Sequence, residues 1–310
     1  MYKAHFGLRE VPFSITPDTS YFFSFSSYQA ALNTLLIAAK NGEGFIKITG
    51  EVGTGKTLLC RKFLAMLDAD FVTAYIPNPL LEPRSLMLAL ADELECFIDR
   101  NIDRNIDQHQ LIKTINLRLL ELANQGKRVL LCIDEAQALP IETLEALRLL
   151  SNLETEKRKL LQIVLFGQPE LDRKLARSEI RQLTQRISFH YQLQALSADE
   201  ISIYVAHRLA VAGYSGTTLF GPAALIALKI TSGGVPRMVN VLAHKALMLC
   251  FGEGKDRISA WHVVMAAKDT LAVNQLHFHA SRLKFLAGVL GFLGFLLLAV
   301  STMLGWMVVR

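Results

Sequence analysis

The chain has 310 residues, enough for two domains and a large buried core. Its net charge of +5 is mild, and an ordinary solvated surface accounts for it without a nucleic-acid partner. Hydrophobic residues make up 51% of the chain, which directs attention to a membrane segment, while the four cysteines (Cys60, Cys96, Cys132, Cys250) are too scattered for a disulfide frame or a zinc site. The N-terminus has no basic stretch leading into an apolar run, so no secretory signal peptide is expected.

Residues 1–27 are dense in aromatics and turn formers: Phe6-Gly7-Leu8, Pro12-Phe13, Pro17-Asp18 and Tyr21-Phe22-Phe23. No helix is expected there, and the aromatics are expected to pack on the body of the first domain. Ala31, Leu35 and Ala38 predict a helix over Ser27–Lys40, closed by Asn41-Gly42. Phe45-Ile46-Lys47-Ile48-Thr49 is short, apolar and partly β-branched, so a strand should end at Gly50. The next residues are Gly50, Glu51, Val52, Gly53, Thr54, Gly55, Lys56 and Thr57, with a helical pattern beginning at Leu58. This is G-x-x-x-x-G-K-[ST] between a strand and a helix, the context that makes the pattern a phosphate-binding loop. The glycines let backbone N–H groups curl round an anion, and the following helix aims its positive end at the same place. Lys56 would reach the β- and γ-phosphates, and the Thr57 hydroxyl would hold Mg²⁺.

Further helices are predicted over Leu58–Leu67, Arg84–Ile98, Ile112–Ala123 and Leu139–Leu153, and further strands over Phe71–Ile76, Val129–Ile133, Leu161–Phe166 and Ile187–Leu193. Five continuous apolar strands separated by helices predict an α/β fold with a parallel five-stranded sheet covered on both faces. A small tandem repeat, Asp99-Arg100-Asn101-Ile102 then Asp103-Arg104-Asn105-Ile106, reads as an insertion on a polar loop or helix end. From Ser197 the pattern is helical only: Ala198–Val211, Pro222–Ile230, Pro236–Cys250 and Ala260–Val273, with Ser197 and Ser259 as N-caps. The expected organisation is an α/β domain over 1–196, a helical lid over 197–275 and a juxtamembrane linker over 276–285. Leu286–Val309 carries no charged residue. As a helix it would span ~36 Å at ~1.5 Å per residue, against a hydrocarbon core of ~30 Å. A transmembrane helix is expected over 286–309. Arg282 and Lys284 before it, against Arg310 alone after it, would leave the bulk of the chain in the cytoplasm.

Asp134-Glu135 closes the strand Val129–Ile133, a Walker B arrangement downstream of the phosphate loop. Asp134 would hold Mg²⁺ through water, and Glu135 would polarise the attacking water. Gln168 follows the strand Leu161–Phe166, where an amide can sense phosphate or position water, or simply serve the turn. Transition-state charge on the γ-phosphoryl calls for an arginine. Arg186 is the first choice and Arg181 the second, entering a neighbour's site in a ring, and either can instead serve a surface salt bridge. Arg237, after Gly233-Gly234-Val235-Pro236, can reach the nucleotide from the helical domain.

These residues together resemble the Walker A, Walker B, sensor 1, arginine finger and sensor 2 of AAA+ P-loop NTPases. Tyr2 to Pro17, Asp134-Glu135-Ala136-Gln137, Leu147–Glu154 and Gly167-Gln168-Pro169-Glu170-Leu171 narrow the resemblance to the general secretion pathway protein A family, over roughly residues 1–275. The resemblance implies an ATP- and Mg²⁺-dependent ATPase anchored in the bacterial inner membrane. It would assist assembly of a type II secretion complex or an MSHA-like type IV pilus as a ring, expected to be a hexamer. Family members with a periplasmic peptidoglycan-binding domain reach the cell wall directly, whereas this chain would need a partner to do so. The alternative is a DNA-associated AAA+ ATPase of the transposition or initiation type. The uncharged 286–309 segment argues against it, so nucleic acid is not expected as a partner.

Overall fold

The computed structural model describes residues 2–15, 21, 23, 25–77, 79–96, 108–154 and 158–270. The tandem repeat at 99–106, the linker at 276–285 and the apolar run at 286–309 lie outside these residues. Among the described residues no helix is long and apolar enough to cross a membrane. The chain divides into an α/β unit, residues 14–196 with Val235–Arg237, and a helical unit, residues 2–13, 197–234 and the described residues from Met238 onward.

In the α/β unit, β1 (Phe45–Thr49), β2 (Phe71–Ile76), β3 (Arg128–Ile133), β4 (Leu161–Gly167) and β5 (Ile187–Gln192) form one parallel sheet in the order β2-β3-β4-β1-β5. After β1 the chain crosses to the far edge, fills back with β3 and β4, then adds β5 on the other side of β1. β1 is therefore an interior strand flanked by β4 and β5, and the loops leaving β1, β3 and β4 rise side by side at the carboxyl ends of the strands, where open parallel sheets bind ligands. Val129 to Ile133 of β3 and all of β4 are buried, as helices on both faces require. On one face Leu131, Ile133, Ile163 and Leu165 meet α4 (Pro83–Glu93), α5 (Gln108–Asn124) and α6 (Ile141–Leu150) through Leu86, Leu90, Leu119, Leu144 and Leu147. On the other, Ile46, Ile48 and Phe166 meet α2 (Ser26–Asn41) and α3 (Lys56–Ala65), whose Leu35, Leu59 and Phe63 are fully buried. Each such side chain stabilises the fold by ~1.5–3 kcal/mol of transfer free energy. β2 is an edge strand, and Glu93 accepts the otherwise unpaired Tyr75 N–H at 2.9 Å.

The structure departs from the periodicity in several places. α4 stops at Glu93 instead of running to Ile98, because Leu94 closes it and Glu95 turns to φ +53°. α7 (Pro169–Leu175) and α8 (Arg181–Thr184) were not anticipated; both are too short to show an apolar period, although Pro169 and Glu170 mark the start of the first.

The helical unit holds α9 (Ala198–Val211), α10 (Pro222–Ser232), α11 (Pro236–Gly252, from Met238 onward) and α12 (Ala260–Lys268). Ser197 and Glu200 close a capping box on α9, with Glu200 N–H donating to Ser197 Oγ at 3.2 Å and Ser197 N–H to Glu200 Oε2 at 2.9 Å. Residues 2–13 of the aromatic N-terminal segment group with this unit, whereas Ser14, Ile15, Tyr21, Phe23 and Phe25 group with the α/β unit, so the expectation that the whole segment packs on the α/β domain is corrected for residues 2–13 alone. The segment also contains one helical turn, α1 (Tyr2–His5), where no helix was expected. Phe13 sits edge-on to Phe220 at 5.8 Å, the Tyr2 hydroxyl meets His244 Nδ1 at 3.0 Å, and Pro12 O accepts from buried Arg208 Nε at 2.6 Å. Composition showed that these rings had to pack somewhere, but not which surface would take them.

Candidate functional site

The phosphate loop leaves β1 between two fixed points. Thr49 lies opposite Gly167 in the parallel register, and Gly50 N–H donates to Gly167 O at 3.2 Å. Two glycines are required by what surrounds them. Gly55 has φ +95°, and a Cβ there would lie 1.6 Å from the Tyr28 hydroxyl oxygen. Gly53 has φ +83°, and a Cβ there would lie 2.6 Å from Arg237 Cβ. Tyr28, buried on α2, donates to Thr54 O at 2.6 Å. It therefore fills the notch beside Gly55 and holds the loop from below, and nothing in the sequence signalled it. Arg237 N–H donates to Gly53 O at 3.1 Å, so Val235–Arg237 lie against the loop. The Arg237 side chain is exposed and has no partner among the described residues. Val52, at the tip of the loop, is also exposed, and Leu58 is half-buried in the first turn of α3.

Lys56 is buried, and its Nζ donates to the loop carbonyls of Gly50 at 2.8 Å and Glu51 at 3.0 Å. Burial pushes the ammonium below the ordinary lysine range, against the opposing pull of the Glu135, Asp134 and Glu51 carboxylates. Asp134 is also buried. Its Oδ2 accepts from the Thr57 hydroxyl at 2.6 Å and its Oδ1 from Glu135 N–H at 2.9 Å. Burial raises the Asp134 pKa, and those two hydrogen bonds work against the rise. A cation and an anion are thus each held in a place that penalises their charge. Phosphate oxygens near Nζ and a divalent cation near Asp134 and Thr57 would relieve both penalties. The donor set of one hydroxyl and one carboxylate is hard oxygen, which suits Mg²⁺ completed by water and phosphate.

Glu135 adopts φ +51°, ψ 37°, a conformation that costs a non-glycine residue on the order of 1 kcal/mol. Its Oε2 accepts from Gln168 Nε2 at 2.9 Å and from Gln137 Nε2 at 2.5 Å. Gln168, read from sequence as either a ligand contact or a turn residue, is therefore joined to the Glu135 carboxylate. In the sequence Gln137 stands out only as the last residue of Asp134-Glu135-Ala136-Gln137.

The arginines separate. Arg186 donates from Nη1 to Ser151 Oγ at 2.7 Å and to Arg148 O at 3.4 Å, tying it to the end of α6 in its own unit. Arg181, the first residue of α8, is exposed and without a partner among the described residues. Of the two arginines, Arg186 is thus engaged within its own unit and Arg181 is not.

The chain is 41% identical over 273 residues to General secretion pathway protein A of Aeromonas hydrophila, covering 88% of this chain and 49% of the relative. A family model described as AAA domain matches residues 39–175. The chain is a homologue of general secretion pathway protein A built on an AAA domain. It spans about half the length of that curated relative. Among solved structures the homologue resembles Cdc6p from Pyrobaculum aerophilum, with TM-score 0.63 and 17% identity over 82% of this chain and 71% of that one. It also resembles the Aeropyrum pernix ORC2 protein in ADPNP-ADP complexes, with TM-score 0.58 and 17% identity over 82% and 72%. The Thermotoga maritima RuvB Holliday junction branch migration motor gives TM-score 0.53 and 16% identity over 84% and 73%. At such identities the likeness is one of fold alone.

Proposed function

We propose that this AAA-domain homologue binds ATP at Gly50–Thr57 with Mg²⁺ and hydrolyses it, as a membrane-anchored assembly ATPase of a type II secretion or MSHA-like type IV pilus system. The observation that carries the reading is the buried Lys56, whose ammonium faces backbone carbonyls at the mouth of the loop beside the Thr57–Asp134 pair. A triphosphate would bring charged oxygen acceptors to an ammonium that in the free protein donates to loop carbonyls and is penalised by burial. Thr57 and Asp134 would hold the Mg²⁺, which when bound neutralises charge on the phosphates. Glu135 Oε1 has no partner among the described residues and would take the proton of the attacking water. The water oxygen bonds to the γ-phosphorus, the bond to the β–γ bridging oxygen breaks, and ADP and phosphate leave. Arg237 would reach the phosphates from beside Gly53. Arg181, or Arg186 once released from Ser151, would be supplied by a neighbouring subunit in a ring, the hexamer being the expected form.

The segment 286–309 would supply the anchor, with Arg282 and Lys284 holding the bulk of the chain on the cytoplasmic side of the inner membrane. The partners would be inner-membrane proteins of the secretion or pilus machine, as the name of the Aeromonas relative suggests. The test is Mg²⁺-ATP turnover by the full chain, with and without DNA. Lys56→Ala should abolish nucleotide binding, whereas Glu135→Gln should retain it and slow turnover by on the order of 10²-fold or more. Mixing Lys56→Ala with Arg181→Ala subunits should restore part of the activity if the arginine acts in trans. DNA-stimulated turnover would favour the DNA-associated alternative, and wild-type turnover in Glu135→Gln would remove Glu135 as the base.

A further inference from the structure

We infer that Gln137 is a positioning residue for hydrolysis, holding Glu135 so that only its Oε1 is presented to the attacking water. The inference deepens the proposed ATPase reading and rests on it. Gln137 sits on a single 3-10 turn, Ala136–Ala138, directly after the Walker B pair. Three contacts immobilise it. Its own carbonyl accepts from Lys174 Nζ at 2.5 Å, and the same ammonium donates to Leu139 O at 2.8 Å, pinning the turn to α7. Its side-chain Oε1 accepts from the Gln168 backbone N–H at 3.0 Å. Its Nε2 donates to Glu135 Oε2 at 2.5 Å.

The middle contact decides the orientation of the amide. A backbone N–H can only donate, so the oxygen of Gln137 must face Gln168 and the nitrogen must face Glu135. Gln168 Nε2 then donates to the same carboxylate oxygen at 2.9 Å, closing a ring of Glu135, Gln137 and Gln168 across the ends of β3 and β4. Two donors on Oε2 fix the carboxylate plane and leave Oε1 free among the described residues. Glu135 needs such a hold, because its backbone sits in the left-handed region and does not by itself define where a long side chain points. Gln168 is the sensor position of the family pattern. Gln137 joins that position to the base by bonding the Gln168 backbone and the Glu135 side chain at once, so both strand ends keep one geometry.

The test is a double-mutant cycle on the full chain, following Mg²⁺-ATP turnover, nucleotide binding and thermal melting. Gln137→Met keeps the length and removes both side-chain hydrogen bonds. It should lower kcat by about ten- to a hundredfold, the scale of a catalytic group misplaced by ~1 Å, with KM and nucleotide affinity unchanged. Gln137→Glu keeps the acceptor for Gln168 N–H but replaces the donor to Glu135 by a carboxylate that repels it, and should show at least the same fall; it also serves if Gln137→Met does not fold. Either change added to Glu135→Gln should cost nothing further, since a residue that acts through the base has no effect once the base is gone. Unchanged kcat in a folded variant, or losses that multiply in the double variant, would overturn the inference while leaving the ATPase reading in place. Absence of wild-type turnover would overturn both.

Discussion

The helical unit and the α/β unit both bury polar side chains, but to different ends. In the helical unit the buried Arg208 donates to Pro12 O at 2.6 Å and to the Tyr204 hydroxyl at 3.1 Å, and that hydroxyl donates to Asn240 Oδ1 at 2.9 Å. The cation is answered within the fold, and it fastens the N-terminal segment to α9. In the α/β unit the buried Lys56 also meets two acceptors, both loop carbonyls, yet burial lowers its pKa and raises that of Asp134, and among the described residues one oxygen of Glu135 has no partner. A polar group kept for stability is satisfied where it sits. A polar group kept for chemistry is left with capacity that a ligand completes, at a cost to the free protein.

The contrast can be broken most directly by deleting each cation. Arg208→Ala leaves Pro12 O and the Tyr204 hydroxyl without their donor and should destabilise the helical unit by roughly 2–3 kcal/mol, read by thermal or denaturant unfolding. Lys56→Ala should cost less in unfolding than Arg208→Ala, because the lost donors to Gly50 O and Glu51 O are offset by removal of a cation that burial penalises, while nucleotide binding is lost. A large stability loss from Lys56→Ala would mean that this cation, too, is structural.

A second, smaller effect concerns pH. The Asp134 pKa is raised in the folded protein, so its contribution to stability is favourable in acid and is lost as pH rises through that value. Cation binding needs the opposite, the ionised form. Acidification from neutral should therefore weaken Mg²⁺-dependent nucleotide binding at a pH above the ordinary carboxylate range, without unfolding the chain through this residue. Asp134→Asn should remove that pH dependence in a fluorescent-nucleotide titration. Retention of the same dependence would place its origin elsewhere.

The smallest expected effect is at Tyr28. Tyr28→Phe removes the hydroxyl that holds Thr54 O and should weaken nucleotide binding by about five- to tenfold, the worth of ~1–1.5 kcal/mol for one hydrogen bond, with little change in unfolding. Gly55→Ala, which meets the same hydroxyl, should be far more damaging. Equal binding by wild type and Tyr28→Phe would show that the loop keeps its shape without this brace.

Much of the α/β unit was legible because its signals are local. Strand, Gly50–Thr57 and helix follow one another without a gap, and Asp134-Glu135 closes an apolar run, so chemistry and position could be read together. α7 and α8 were missed because seven- and four-residue helices are too short to show a period. Arg186 was ranked above Arg181 for its nearness to β5, and only the observed bond to Ser151 shows that its guanidinium is occupied.

The sequence by itself determined the parallel α/β framework, the phosphate loop and the carboxylates beside it, because each depends on spacing along one stretch of chain. Only the tertiary structure decided that residues 2–13 join the helical unit, that Tyr28 braces the loop, and that Gln137 and Gln168 share one oxygen of Glu135. These are hydrogen bonds and ring contacts between elements far apart in the chain, or between turns at the ends of different strands. They exist only when distances close to within tenths of an ångström, and that closure is set by the packing of the sheet and its helices.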